Sequence, residues 1–505
     1  MSLGETFAAH TGVPVRSRPI RKGSFGGIHG VKGESSLPVG ENRFMTDDFR
    51  WWSATETGAA IRTGVVGVCE VVDAAIARIE RLNPSLGAVV IPLFERARQL
   101  SRLRPITSNS LFDGVPMLLK DAGEELADTP HWVGTRGLQQ SVSVSTQTTE
   151  LAHRFETLGF VFVGKSACPE LSASSTTEPV GFPPTRNPWA LDRTAGGSSG
   201  GAAAAVAAGL VPIAHGSDAT GSLRFPAAHC GVVTLKPTRG RIPIVPPTGQ
   251  ADPLGVWTQF AIARDVEDLV TLFPLLARPS GTNSGAREPQ VRERPLRIGL
   301  LAHDPIIGLP VAADCAQAIG HLGETLAALG HRVDSGYPPA FDTLFEPFWK
   351  GMQTVGPLVR FEQTEWMSKR LGRPCRAGDL SDELLELAER GRTMPVDAGS
   401  RAYSKIRDAM AGVLDWWSGG YDLLVTPVTL EPAWRIGEEP SRRTGMFCAP
   451  FSFTGQPALV VPVAISREGL PIGAQIVGRP GDDELLLQLG SRLQTALGWL
   501  DRKPK

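Results

Sequence analysis

The chain has 505 residues, 42% of them hydrophobic, which suits a buried core and excludes a disordered protein. Lys and Arg total 51 against 52 Asp and Glu, a formal charge of -1, so the basic excess that nucleic acid or an acidic membrane surface calls for is missing. The six cysteines form no CxxC pair and do not cluster with the nine histidines, which argues against a structural zinc site and for a reducing, cytoplasmic setting. No apolar run reaches the roughly 18 residues of a membrane span, and no basic-then-apolar leader opens the chain.

Residues 1–47 are rich in Gly, Ser, Pro and basic side chains and lack an apolar period, so they read as a flexible or surface-lying extension. Order is expected from Trp51, with Trp51 and Trp52 read as hydrophobic staples. Ser53 and Glu56 have the spacing of a capping box, in which each side chain satisfies a free N–H of the other. Cys69, Val72, Ile76, Ile79 and Leu82 recur at helical steps, and Asn83-Pro84 is expected to end that helix. This helical arm covers 48–105.

From 106 the pattern changes to short apolar runs alternating with helical segments. VPMLLK, FVFVGK, LVPIAHG, LRIGLLAH, DLLVTPV and ALVVPVAI read as buried strands, and 202–209 and 484–497 as helices, which together argue for a mixed α/β layered sheet. The section 281–440 is more helical and polar and reads as a variable, substrate-shaping region between a core at 106–280 and a core return at 441–500.

The chemistry concentrates in three segments. Thr194-Ala195-Gly196-Gly197-Ser198-Ser199-Gly200-Gly201 is a glycine-rich turn that opens an alanine-rich helix, and such a turn presents free N–H groups. Phosphate binding is one reading, but the P-loop lysine and the dinucleotide fingerprint are both absent; a plain linker is the other. The second segment is HGSDATGSLRFPAAHCGVVTLKPTRGRIP, around Ser222. The third is GVPMLLKD, where Lys120 follows an apolar run that would bury it and disfavour its ammonium form.

Together these segments resemble the amidase signature family, and the likeness runs from Trp51 to Leu500, including the tail APFSFTGQPALVVPVAISREGLPIGAQIVGRPGDDELLLQL. The resemblance implies a single large α/β domain at 48–500, with a central mixed β-sheet covered by helices on both faces. It implies an amidase, a hydrolase acting on carbon–nitrogen bonds of linear amides, in which Ser222 is the nucleophile, Ser198 relays the proton and Lys120 is the base. Ser198 would follow a cis peptide bond from Gly197. The oxyanion hole would come from the N–H groups of Ala219, Thr220, Gly221 and Ser222, and Ser199 would tune the site. Asp218 and Arg224 read as an ion pair holding the loop. No metal or cofactor is implied. The partner is a small-molecule amide, with no nucleic acid and no membrane, and the resemblance allows a homodimer.

The chain departs from the family at Thr220, where glycine is usual; a β-branched residue is disfavoured there if the position needs φ > 0. Cys168, Cys230 and Cys448 read as packing, and His215 and His229 as satisfied structural histidines. Within the family, PTRNPWALDRTAGGSSGG and VPIAHGSDATGSLRFPAA look similar to the bacterial aryl acylamidases and 6-aminohexanoate cyclic-dimer hydrolases. The low aromatic content and the apolar stretch 449–461 favour a small acyl or aryl amide over a charged one. Two alternatives stand beside this reading: the glutaminase subunit of a tRNA-dependent amidotransferase, and a non-catalytic scaffold of the same fold.

Overall fold

The computed structural model describes residues 49–103, 110–244, 252, 255–279, 294–438 and 444–504; the expected extension at 1–47 lies outside them. Thirteen strands occur among the described residues. In chain order they are β1 (Val89–Pro92), β2 (Pro116–Lys120), β3 (Val161–Ser166), β4 (Arg186–Asn187), β5 (Ala190–Thr194), β6 (Ile213–Asp218), β7 (Val233–Lys236), β8 (Thr258–Ala263), β9 (Arg297–Leu300), β10 (Arg332–Ser335), β11 (Leu423–Pro427), β12 (Ala458–Ile465) and β13 (Pro471–Val477). Eleven of them form one sheet in the order β1-β3-β2-β6-β8-β7-β12-β13-β11-β9-β10, and β4 pairs with β5 apart from it. β3, β2 and β6 run parallel, as do β11, β9 and β10, while the centre is antiparallel. All six apolar runs fall on strands of this mixed sheet.

Helices cover both faces, and β12 shows why. A side chain built on Gly490, in the helix Asp483–Leu497, would lie 2.8 Å from the Leu459 side chain, whereas one on Gly473 would meet Ala228 of the helix Arg224–Cys230 and then Val460. Successive strand residues point to opposite faces, so these two helices sit on opposite sides of β12. The chain is a single α/β domain, as expected.

Several local expectations need correction. The helix Val68–Leu86 runs through Pro84 and ends at Gly87, which is left-handed. Pro84 takes one N–H out of the ladder in the last turn, where only a few residues of helix remain, and the Asn83 side chain fixes the exit by accepting from the Ala88 and Val89 N–H groups. The helical arm also carries β1, the edge strand beside β3, and the region 281–440 supplies β9, β10 and β11, so it builds the sheet as well as covering it. Trp51 is no staple: the Arg50 and Arg264 guanidiniums and the Lys503 ammonium lie 4.6 to 5.0 Å from its ring centre. The Ser53–Glu56 capping box is present on the helix Ala54–Arg62.

Candidate active site

β2 and β6 are parallel neighbours, and both end at the same edge of the sheet, Lys120 closing one and Asp218 the other. Ligands of open α/β sheets bind at the carboxyl ends of such strands. Between them comes the helix Gly200–Ala207, which is wholly buried and alanine-rich, so its backbone packs tightly on the sheet. A side chain at Gly201 would lie 2.4 Å from the Ala167 nitrogen, so this position admits only glycine.

Lys120 is fully buried. Its Nζ donates to Ser198 Oγ at 2.7 Å and to Ser217 Oγ at 2.9 Å. Burial pulls its pKa down to about 8, against the opposing pull of Cys168 and Asp218. The Gly197–Ser198 peptide bond is cis. A side chain on Gly197 would strike the Thr176 backbone at 2.4 Å, which accounts for glycine there. Ser199 clamps the next layer: its Oγ donates to the Ser217 carbonyl at 3.1 Å and accepts the Ser217 N–H at 3.2 Å. The Ser199 N–H also donates to the Ser222 carbonyl at 3.2 Å, so the two motifs touch.

Ser222 is partly exposed, and among the described residues its hydroxyl makes no hydrogen bond. Its loop is held by Asp218, which accepts from the Gly221 N–H at 2.7 Å and the Leu223 N–H at 3.2 Å. The Gly221 N–H is therefore already engaged, a correction to the four expected oxyanion donors. The N–H groups of Ala219, Thr220 and Ser222 have no partner among the described residues. The glycine-demanding conformation falls on Gly221, at φ 138°, and Thr220 keeps negative φ, so Thr220 brings no backbone strain.

Arg224 meets Asp218 through two bonds of 2.9 Å, and neither residue is exposed. Burial alone would raise the Asp218 pKa, but the Arg224 charge and hydrogen bonds, the Lys236 charge and the Leu223 N–H together outweigh it and hold the carboxylate below its ordinary range. Arg224 also donates to the Cys448 carbonyl, Ser452 Oγ and Gln475 Oε1. Arg224→Met will leave Asp218 buried without its counter-charge and should cost about 3–5 kcal/mol. Urea unfolding will show this as a lower midpoint at unchanged slope.

Two groups escaped the sequence reading. Ser217 was hidden because only strand pairing reveals that it faces Lys120; the hydroxyl directly before Asp218 was the available signal. The second is a buried chain behind Lys120. Its backbone N–H donates to His215 Nδ1 at 3.3 Å, so Nε2 carries the proton and donates to Gln259 Oε1 at 2.8 Å; Gln259 Nε2 donates to Glu124 Oε1 at 2.7 Å. Burial pulls the His215 pKa to about 3, so it stays neutral. His215 is satisfied, as expected, but His229 is only half so: Nε2 lies 3.5 Å from Thr429 Oγ1, and Nδ1 has no partner. Burial pushes the Cys168 and Cys230 thiols far up and Cys448 to about 12, which fits packing. Among the described residues no cluster could hold a metal ion, and no helix is long and apolar enough to cross a membrane.

The Amidase family model matches residues 70–487. The 6-aminohexanoate-cyclic-dimer hydrolases of Pseudomonas sp. (strain NK87) and Paenarthrobacter ureafaciens are each 36% identical over 482 residues, covering 90% of this chain and 97% of theirs. An acylamidase of Rhodococcus erythropolis is 30% identical over 496 residues, 91% of this chain and 98% of its own. The solved structure of 6-aminohexanoate cyclic dimer hydrolase complexed with substrate aligns at a TM-score of 0.83 and 34% identity, over 90% of this chain and 99% of that one. With the mixed sheet and the Lys120–Ser198 pair already in place, these likenesses show that the chain belongs to the amidase signature family and is a hydrolase acting on the C–N bond of amides.

Proposed function

We propose that the enzyme hydrolyses amides of small acyl or aryl compounds through Ser222, Ser198 and Lys120. The observation that carries this reading is the buried Lys120 ammonium site, 2.7 Å from Ser198 Oγ, with its pKa lowered to about 8. A lysine at its reference pKa of about 10.4 is almost wholly protonated at neutral pH and is no base; this one is neutral in roughly one molecule in ten at pH 7. In the neutral amine one N–H points at Ser217 Oγ and the lone pair accepts from Ser198. Ser198 in turn takes the proton of Ser222 as the Ser222 oxygen attacks the carbonyl carbon. The N–H groups of Ala219, Thr220 and Ser222 hold the oxyanion. The C–N bond then breaks, and Lys120 returns the proton through Ser198 to the leaving nitrogen. Water attacks the acyl-enzyme by the same route, releasing the acid and restoring Ser222.

The hydrolysis of a cyclic amide dimer by two relatives supports small amides as the substrate class. All six cysteines are free thiols, which supports a cytoplasmic location. Exposure to a fluorophosphonate, read by intact mass, tests the mechanism. One adduct, absent from Ser222→Ala, is the expected result. No adduct on folded protein would overturn the reading in favour of a scaffold or of an amidotransferase subunit that needs its partners.

A further inference from the structure

One helix, Phe341–Leu371, runs from one apolar cluster to another. Its last turns place Met367 in the cluster that holds Ala122, Val133, Cys168 and Leu171, beside Lys120. Its first turns place Phe341, Leu344, Phe348 and Val355 in the cluster that holds Phe447, Ala449 and Phe451. That second cluster flanks the Cys448 carbonyl and the Ser452 hydroxyl, both of which accept from Arg224. The helix therefore bridges the Lys120 side and the Ser222 side, and Arg360 lies between its two anchored ends.

Arg360 stands three, four and seven residues before Gln363, Thr364 and Met367, all buried, so it shares their face of the helix. Its Nη1 donates to Gln363 Oε1, and Gln363 Nε2 donates to the Leu171 carbonyl at 3.2 Å. Leu171 lies in the middle of the segment 168–176. That segment begins where Cys168 Sγ donates to the Asp121 carbonyl, next to Lys120, and ends where Thr176 abuts Gly197. Arg360 is thus tied, through Gln363, to the segment that runs from beside Asp121 to beside Gly197.

Among the described residues no carboxylate pairs with Arg360, and its Nε and Nη2 donate to nothing. The side chain is nevertheless partly accessible, and burial by itself pulls its pKa to about 10. A half-buried cation without a counter-charge is stabilised by a ligand that supplies one. Nε and Nη2 are the side-on fork that matches the two oxygens of a carboxylate.

We propose that Arg360 binds a carboxylate at the end of the substrate remote from the scissile amide, so that the preferred substrates are small acyl amides that carry a carboxylate on the acyl part. The proposal rests on the amidase reading above and replaces the expected preference for uncharged amides.

Matched p-nitroanilides test it: succinyl, glutaryl and adipyl anilides against butyryl, valeryl and hexanoyl ones of equal chain length. The wild-type enzyme should favour at least one carboxylated anilide over its neutral partner by about tenfold or more in kcat/KM, through KM. In Arg360→Gln that ratio should fall by about 30-fold or more, and Arg360→Lys should restore part of it. A wild-type ratio of one or less at every length, or a ratio unchanged in Arg360→Gln, would overturn the role of Arg360 while neutral-anilide turnover leaves the amidase reading standing. Failure to hydrolyse any of the six anilides, together with failure to label Ser222 with fluorophosphonate, would overturn both.

Discussion

Ser222→Ala will hydrolyse amides at least about 10⁴-fold more slowly than the wild type. The size of the effect follows from the division of labour in the loop. Asp218 and Arg224 hold the loop through its N–H groups and through the ion pair, and the Ser222 hydroxyl takes no part in that frame. On the proposed mechanism, removing it deletes the attacking oxygen and leaves the oxyanion donors and substrate contacts in place, so binding should persist while turnover vanishes. Stability should stay within about 0.5 kcal/mol. Anilide release measures the rate and urea unfolding the stability. A well-folded variant with a tenth or more of the wild-type rate would remove Ser222 from the mechanism.

Lys120→Met should lose activity on the same scale, and here pH adds a second signature. With a folded pKa of about 8, wild-type kcat/KM should climb about tenfold per pH unit below that value and level off above it. The variant should keep no such limb. Its stability should move the other way. The Lys120 pKa is lower in the folded chain than in the unfolded one, so the unfolded chain binds the proton more readily between pH 8 and 10.5. The penalty for burying the ammonium is thus fully present below pH 8 and disappears as pH rises towards 10.5. Lys120→Met should accordingly be more stable than the wild type at pH 7, with the advantage shrinking above pH 8. A wild-type profile flat from pH 6 to 9 would count against Lys120 as the base.

Much of this was legible because the reactive segments are local. Strands buried on both faces read as continuous apolar runs, and so β2, β3 and β6 were visible, and with them the position of Lys120 at a strand end. β10 was not, because the burial of Arg332, Val333, Asp334 and Ser335 follows no alternation at the sheet edge. β13 was hidden behind its initial Pro471 and the polar Gln475, which is buried only because it bonds Thr426, Phe447 and Arg224. The partners of Lys120 behind the site, His215, Gln259 and Glu124, belong together only through contacts across 44 and 135 residues, and no spacing rule reaches that far. Arg360 carries no motif at all; its meaning comes from the missing counter-charge.

The connections of Arg224 bear on how the protein comes into being. Its partners at Ser452 and Gln475 lie 228 and 251 residues further along the chain. On the ribosome, Lys120, Ser198 and Ser222 therefore emerge long before the groups that complete the frame around the Ser222 loop. Until then an arginine destined for a fully buried position lacks three of its acceptors, and the frame stays open to water. Synthesis itself acts as a safety catch: the nascent polypeptide holds Lys120, Ser198 and Ser222 early, yet the frame around the Ser222 loop closes only once Gln475 has been added.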